Sequence, residues 1–335
     1  MEKRIKSILE NVKLAQKKGA VKTELFSDNS VSGANEFLFF VKPELTLEDE
    51  SIKLDEILQL VFDKIEAFGL SIKNIQVLPA NYLEEHGLIA KHYGVINRLS
   101  SNAKKALSDQ AKDIFKDTFG KPTDEANVLG SLEFLKAYPA FSAEALDYLW
   151  QNSDFKKMAG GTYVARFSFD SEEVFIVNGF HPRQLEHFTR PGRSIVTFTL
   201  VGDTDWRAAR HDFIGATNPA SAIEGSLRRT FLDKMDYYGI PAVNGSWNGV
   251  HLSAGPVEGL VELIRYNSDF SGENEMTPSD YKFGKALIDA FGANITAKIL
   301  ENMDVDFNGN TISVFDLTEE KNSDEALDLL KSALG

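Results

Sequence analysis

Glu36-Phe-Leu-Phe-Phe-Val41, running into Lys42-Pro43-Glu44, is the stretch on which the fold turns. Aromatic and β-branched side chains fill it, which suits a pleated strand. Pro43 has no N–H to pair, so the strand stops there. Lys42 is then delivered to the C-terminal edge of the strand, where sheets of α/β and α+β proteins often bind ligands. A plain edge lysine is the commoner outcome of the same pattern. On the C-terminal side, Leu54 to Phe68 reads as a helix with Ile57, Leu60, Val61 and Ile65 on one face, ended by Gly69. Ser71 to Leu78 alternates as a strand, and Tyr82 to Tyr93 reads as a second helix. The result is a β-α-β-α opening. Upstream, residues 1–19 form an amphipathic helix with Ile5, Ile8, Leu9, Val12 and Ala15 on one face and Gly19 as its stop. Residues 27–35, rich in Ser, Asn and Gly, link it to the strand.

Downstream, from about Gly94 to Val177, the texture changes. Ala103 to Phe119 and Ser142 to Trp150 are helical, and Thr162 to Phe169 with Glu173 to Val177 form a hairpin around Asp170-Ser171. Pro182 to Phe188 is a short helix, Ser194 to Val201 a strongly β-branched strand, and Thr204 to Phe213 a helix. Residues 214–229 make a tight Gly-, Thr-, Asn- and Pro-containing loop that leads to Arg228. Residues 232–247 are a longer loop. Ser279 to Phe291 and Ser323 to Leu334 read as helices, with a strand at Thr311 to Phe315. No internal repeat or low-complexity tract interrupts this order.

The chain has 335 residues, 43% of them hydrophobic, enough for a substantial core and for two domains or one with large insertions. It contains no cysteine, which excludes disulfides and thiolate metal sites. There is no long apolar run for a membrane span and no apolar leader after the basic N-terminus, so a cytoplasmic protein is expected. The formal net charge of −14 argues against nucleic acid as the main partner. A phosphate ligand needs only a local cluster of Lys and Arg. No GxxxxGK[ST] motif is present, so a P-loop is not supported. His86 and His92, like His181 and His187, are six apart, which is not the spacing of helical metal ligands, and no protein-held metal is expected.

Chemistry concentrates in Asn248-Gly-Val-His251-Leu-Ser253-Ala-Gly-Pro256-Val-Glu-Gly-Leu-Val-Glu262. Pro256 opens an amphipathic helix, and Glu262 on that helix can reach back to His251. A nucleophilic imidazole needs one nitrogen free to attack and the other held by an acceptor that fixes the tautomer.

Three separated motifs resemble the nucleoside diphosphate kinase family. Phe39-Phe-Val-Lys-Pro-Glu44 is similar to its first-strand signature, usually ending Lys-Pro-Asp. Ile214-Gly-Ala-Thr217-Asn-Pro-Ala-Ser-Ala-Ile-Glu-Gly-Ser-Leu-Arg228 resembles its Gly-Ala-Thr-Asn-Pro segment, with the same spacing from Thr to Arg. Asn248-Gly-Val-His-Leu-Ser253 resembles its Asn-x-x-His-Gly-Ser. The resemblance implies that His251 takes the γ-phosphoryl group of a nucleoside triphosphate and passes it to a diphosphate, in ping-pong order. It implies that Glu262 and Ser253 support His251, and that Lys42, Thr217, Arg228 and Asn248 hold phosphates and ribose. Arg210 is the counterpart of a further phosphate arginine but lies one residue out of register, with His211 in the family position. Mg²⁺ would arrive on the nucleotide phosphates.

The implied fold is α+β: a ferredoxin-like antiparallel four-stranded sheet with helices on one face, plus an inserted, mostly helical module. The implied division is an N-terminal helix and linker (1–35), a split core (36–93 and 178–268), an insertion (94–177) and a C-terminal extension (269–335). The family's assemblies imply a homo-oligomer, a dimer or higher. There are departures. The family's His-Tyr pair on the second helix falls on His86-Gly87, with Tyr93 as a candidate substitute, and its nucleobase clamp falls near Phe180-His181. The alternative expectation is a catalytically weak or inactive nucleotide-binding regulatory protein of the same fold.

Overall fold

The computed structural model describes residues 1–169, 172–272 and 274–335. The expected turn at Asp170-Ser171 lies outside the described residues. The chain divides into two compact units, one of residues 1–86 with 190–335 and the other of residues 87–189. The fold is mixed α and β, with antiparallel sheets and many helices, compatible with the α+β class.

The first unit is built on a five-stranded sheet. Its strands are β1 (Thr23–Ser27), β2 (Asn35–Val41), β3 (Ser71–Pro79), β4 (Ser194–Gly202) and β5 (Val250–Leu252). They lie in the order β1-β3-β4-β2-β5, and every neighbouring pair is antiparallel. Four strands were expected; β1 adds a fifth at the edge. It is short and half exposed, so it carries no hydrophobic alternation to betray it.

All seven residues of β2 are buried. Phe37, Phe39 and Val41 face a core with Val196, Phe198 and Leu200 of β4 and Val250 and Leu252 of β5. That core is covered by α1 (Glu2–Ala15), through Ile5, Ile8 and Val12, and α2 (Leu54–Ala67), through Ile57, Val61 and Ile65. Alternation turns Phe40 to the opposite face. There Tyr266 of α3 (Pro256–Asn267) meets it, ring centroids 5.7 Å apart. Helices therefore cover both faces, not one. The reason is legible in β2, which is apolar at successive positions and needs cover on both sides.

The expected helix Tyr82 to Tyr93 is two helices, Ala80–Glu85 and Leu88–His92. Gly87 between them sits at φ 60, a left-handed conformation that breaks the helical run. Thr204 to Phe213 is one α-turn, Trp206–Ala208, followed by a π-helix, Ala209–Ile214. The C-terminal part folds as Lys282–Leu300, bent at Gly292, a hairpin of Asp304–Phe307 with Asn310–Ser313, and helices Val314–Thr318 and Ser323–Leu334.

The second unit has its own four-stranded sheet, in the order Val128–Gly130, Glu172–Val177, Thr162–Phe169, Lys156–Ala159. The first pair is parallel and the others antiparallel. Phe115 and Phe175 pack at 4.9 Å in its core. The expected helix Ala103 to Phe119 is interrupted, because the Ser108 hydroxyl accepts from Ala111 N–H at 3.2 Å and starts a new helix at Asp109.

Candidate active site

His251 is the middle residue of β5 and lies opposite Phe40 of β2. The two rings stack, centroids 4.5 Å apart and 20° between planes. A side chain on a three-residue strand is held by its neighbour's ladder and by this stacking, which suits a group that must not wander. One residue on, Leu252 points back into the core, and the backbone continues to pair: Ser253 N–H donates to Leu38 C=O at 3.1 Å. The ladder thus fixes Ser253 as well.

Gly255 then turns the chain, and Pro256 stands at the first position of α3, where a missing N–H costs nothing. A Cβ on Gly255 would lie 2.5 Å from the Thr318 carbonyl oxygen, so only glycine permits this close passage. Two turns along α3, Glu262 faces back to β5 and is only 2% exposed. Its carboxylate lies 3.0 Å from His251 Nε2 and accepts the Ser253 hydroxyl at 2.6 Å. When Nε2–H donates to Glu262, the neutral imidazole carries its lone pair on Nδ1.

Charge around the ring decides its protonation. Burial pushes His251 below its usual 6.5, Glu262 partly offsets this, and Lys42 and Arg210 push it further down. The ring is therefore neutral at pH 7, the form in which a nitrogen can attack.

Lys42 directly follows β2, and Pro43 directs the chain into a short 3-10 turn. Its side chain is buried and donates from Nζ to Asn248 Oδ1 at 2.6 Å. Burial lowers its pKa to about 8, against the pull of Glu44 and with the help of Arg228. Asn248 in turn donates to Thr217 C=O at 3.0 Å. Arg228 is 5% exposed and bridges two segments, donating to Gly215 C=O at 2.8 Å and to Val250 C=O at 3.0 Å. Thr217 itself is exposed, on the loop these bonds hold.

Arg210 and His211 are adjacent on the π-helix and point differently. Arg210 donates to Leu252 C=O at 3.0 Å, beside His251, and its Nε is buried with no hydrogen-bond partner among the described residues. His211 turns outward and meets Glu320 at 2.9 Å with half its side chain exposed. So Lys42, Asn248, Arg210, Arg228, Ser253 and Glu262 are all tied by hydrogen bonds into the segments that carry Thr217 and His251.

His86 packs on Tyr82 and Phe270. Tyr93 and His181 belong to the second unit, where His181 is buried and bonded to Gln184 and Asn97 at 3.2 and 3.1 Å. Phe180 packs there against Trp150.

Three acidic residues were not foreseen. Glu44, 1% exposed, accepts Gly249 N–H at 2.8 Å and so ties the first-strand motif to the histidine motif. Glu258 lies one turn before Glu262, and its pKa is raised to about 8, first by burial and then by Glu262. Glu319, from the C-terminal part, stands 4.0 Å from Arg210. Glu44 and Glu258 were visible within the quoted motifs, at i+2 from Lys42 and i−4 from Glu262. Nothing local pointed to Glu319.

Among the described residues, no helix is long and apolar enough to cross a membrane. No protein-family model and no curated protein matches the chain. Among solved structures it is similar to an NDP kinase from Pyrobaculum aerophilum, with 15% identity over 72% of this chain and 99% of that chain, and a TM-score of 0.33. A TM-score that low does not establish a shared fold.

Proposed function

We propose that this chain is a nucleoside diphosphate kinase. The observation that carries the proposal is the arrangement of Ser253, Glu262 and His251, a buried carboxylate that holds Nε2 of a neutral imidazole and is itself held by a hydroxyl. Nδ1 donates its lone pair to the γ-phosphorus of a magnesium-bound nucleoside triphosphate. The bond from that phosphorus to the β-γ bridging oxygen breaks, and the nucleoside diphosphate leaves with the electron pair. In the second half, a β-phosphate oxygen of another diphosphate attacks the phosphorus, and the N–P bond breaks back to His251. Little covalent work is needed beyond the nucleophile, so positioning and charge stabilisation dominate.

Arg210 and Arg228 offer planar donors to phosphate oxygens, and Lys42 a compact charge. The strand order β3-β4-β2-β5 supports a ferredoxin-like core with β1 added at its edge, and the second unit is then an insertion into a split core. A homo-oligomer and a cytoplasmic setting belong to the same proposal. One observation favours a second reading, a nucleotide-binding regulatory protein that turns over slowly: Gly87 stands where the resemblance has its active-site tyrosine.

The test is incubation with γ-labelled ATP and Mg²⁺, with detection of acid-labile, alkali-stable label on the denatured chain. Label that is absent in His251→Ala and is chased by GDP or CDP supports the kinase. ATP binding with no label supports the regulatory reading.

A further inference from the structure

The segment after helix Val314–Thr318 is built against the elements that carry His251 and Arg210. Glu320 N–H donates to Ala254 C=O at 2.9 Å, one residue past Ser253. Glu320 holds φ 56, a left-handed backbone that non-glycine residues rarely adopt. Asn322 then clamps the segment: its Oδ1 accepts from Trp206 N–H at 3.0 Å and from Asn35 Nδ2 at 2.9 Å, and its Nδ2 donates to Asp205 at 2.9 Å. The backbone is thus fixed at both ends of Glu319-Glu320. The side chains divide the basic residues beside them. Glu320 takes His211 at 2.9 Å and Arg207 at 3.9 Å, while Glu319 faces the outer nitrogen of Arg210 at 4.0 Å.

We propose that Glu319 is an internal phosphate mimic: its carboxylate covers the outer edge of Arg210 in the ligand-free chain and must yield that edge to an incoming phosphate. This rests on the reading of Arg210 as a phosphate ligand. A carboxylate and a phosphate present oxygens to the same planar guanidinium edge, so one excludes the other. Glu319 is half exposed and stands 4.0 Å from its partner, beyond hydrogen-bond distance, so it can swing into solvent while Glu320 and Asn322 keep the backbone in place. Three other titratable groups bear on this corner from α3: Glu258, Glu262 and Arg265. Glu262 is committed to His251 and Ser253. Glu258 is largely protonated at neutral pH, which leaves Glu319 as the charged carboxylate that faces Arg210. The C-terminal part thereby sets the affinity of the site for polyanions, and anything that draws Glu319 away raises it.

The test compares the full chain with Glu319→Gln and Glu320→Gln by titration calorimetry with MgADP and, separately, with inorganic pyrophosphate. Exposed ion pairs are weak, so Glu319→Gln is expected to bind both probes roughly two- to fivefold more tightly, with the gain shrinking at high salt. Glu320→Gln, which does not face Arg210, is expected to leave both affinities unchanged. Unchanged or weaker binding in Glu319→Gln overturns the proposal, whether or not wild type labels His251. Tighter pyrophosphate binding with no phosphohistidine from γ-labelled ATP leaves the mimic standing and removes the kinase. Failure of every form to bind either probe removes both.

Discussion

Replacing Glu262 by glutamine keeps the side-chain shape and changes the chemistry at one point. Both carboxylate oxygens lie 3.0 Å from His251 Nε2, and one of them also takes the Ser253 hydroxyl at 2.6 Å. In Glu262→Gln one of these oxygens becomes an NH₂. The amide oxygen can still accept from Ser253, but the NH₂ then points at Nε2. Either two N–H groups face each other, or the ring proton moves to Nδ1 and removes the lone pair that attacks. A hydrogen bond to a charged group contributes about 1.5–3 kcal/mol. If the transition state loses that amount, the labelling rate falls by roughly 10- to 150-fold.

The pH dependence separates this cause from a loss of ionisation. His251 titrates below 6.5 because burial outweighs the upward pull of Glu262. Removing that pull lowers it further. The ring is neutral at pH 7 in both proteins, so the loss is not a protonation effect. The acid limb of the rate profile is expected to move to lower pH in Glu262→Gln, even as the plateau drops. The assay is single-turnover labelling from γ-labelled ATP between pH 4.5 and 8, with folding checked by circular dichroism. A wild-type rate in Glu262→Gln, or an acid limb that moves up, refutes the reasoning.

Lys42 should lose its charge as pH rises through about 8, so the KM for MgATP should climb above that pH in wild type and stay flat in Lys42→Met, which starts from a weaker value; parallel profiles in the two proteins would exclude Lys42 from phosphate binding. Glu258 has its folded pKa raised to about 8 from 4.5, so its contribution to stability is fully present below 4.5 and is lost as pH rises through 8. Denaturant midpoints should therefore fall between pH 5 and 8.5 in wild type and fall less in Glu258→Gln; equal slopes would count against a buried proton there. Gly249 sits at φ +81, and a Cβ there would lie 2.7 Å from the Phe231 ring. Gly249→Ala combines a left-handed penalty of about 1–2 kcal/mol with overpacking of about 1–3 kcal/mol, so Tm should drop by several degrees. An unchanged Tm would mean the loop can shift freely.

Where local pattern decides structure, the sequence was a sound guide. The apolar strand at β2, the periodic helix α2 and the β-branched strand β4 lie within a residue of their expected ends, and α3 opens at Pro256 as expected. The misses have physical causes. β1 is too short and too exposed to announce itself. The break after Glu85 depends on one left-handed glycine inside an otherwise helical pattern. The second face of the sheet was missed because α3 is distant in sequence, though the uninterrupted apolar run of β2 asked for cover on both sides.

The corner around Arg210 makes the sharper case. By spacing, His211 had the stronger claim, since Arg210 lies one residue further from Thr217 than the family pattern allows. Spacing counts residues as though every turn were the same. A π-turn bonds i to i+5 and so holds one residue more than an α-turn. Residues Ala209–Ile214 form such a turn. From it Arg210 reaches the Leu252 carbonyl beside His251, and His211 faces Glu320. On the kinase reading of this site, the one-residue discrepancy in spacing is the residue that the π-turn holds in excess. It follows that deleting one residue from this turn should force a choice between losing the π geometry and losing the arginine. Glu319 has no such local trace, because its partner is more than a hundred residues away in the chain. Only the fold, through the Asn322 clamp and the close passage at Gly255, brings that charge to the site.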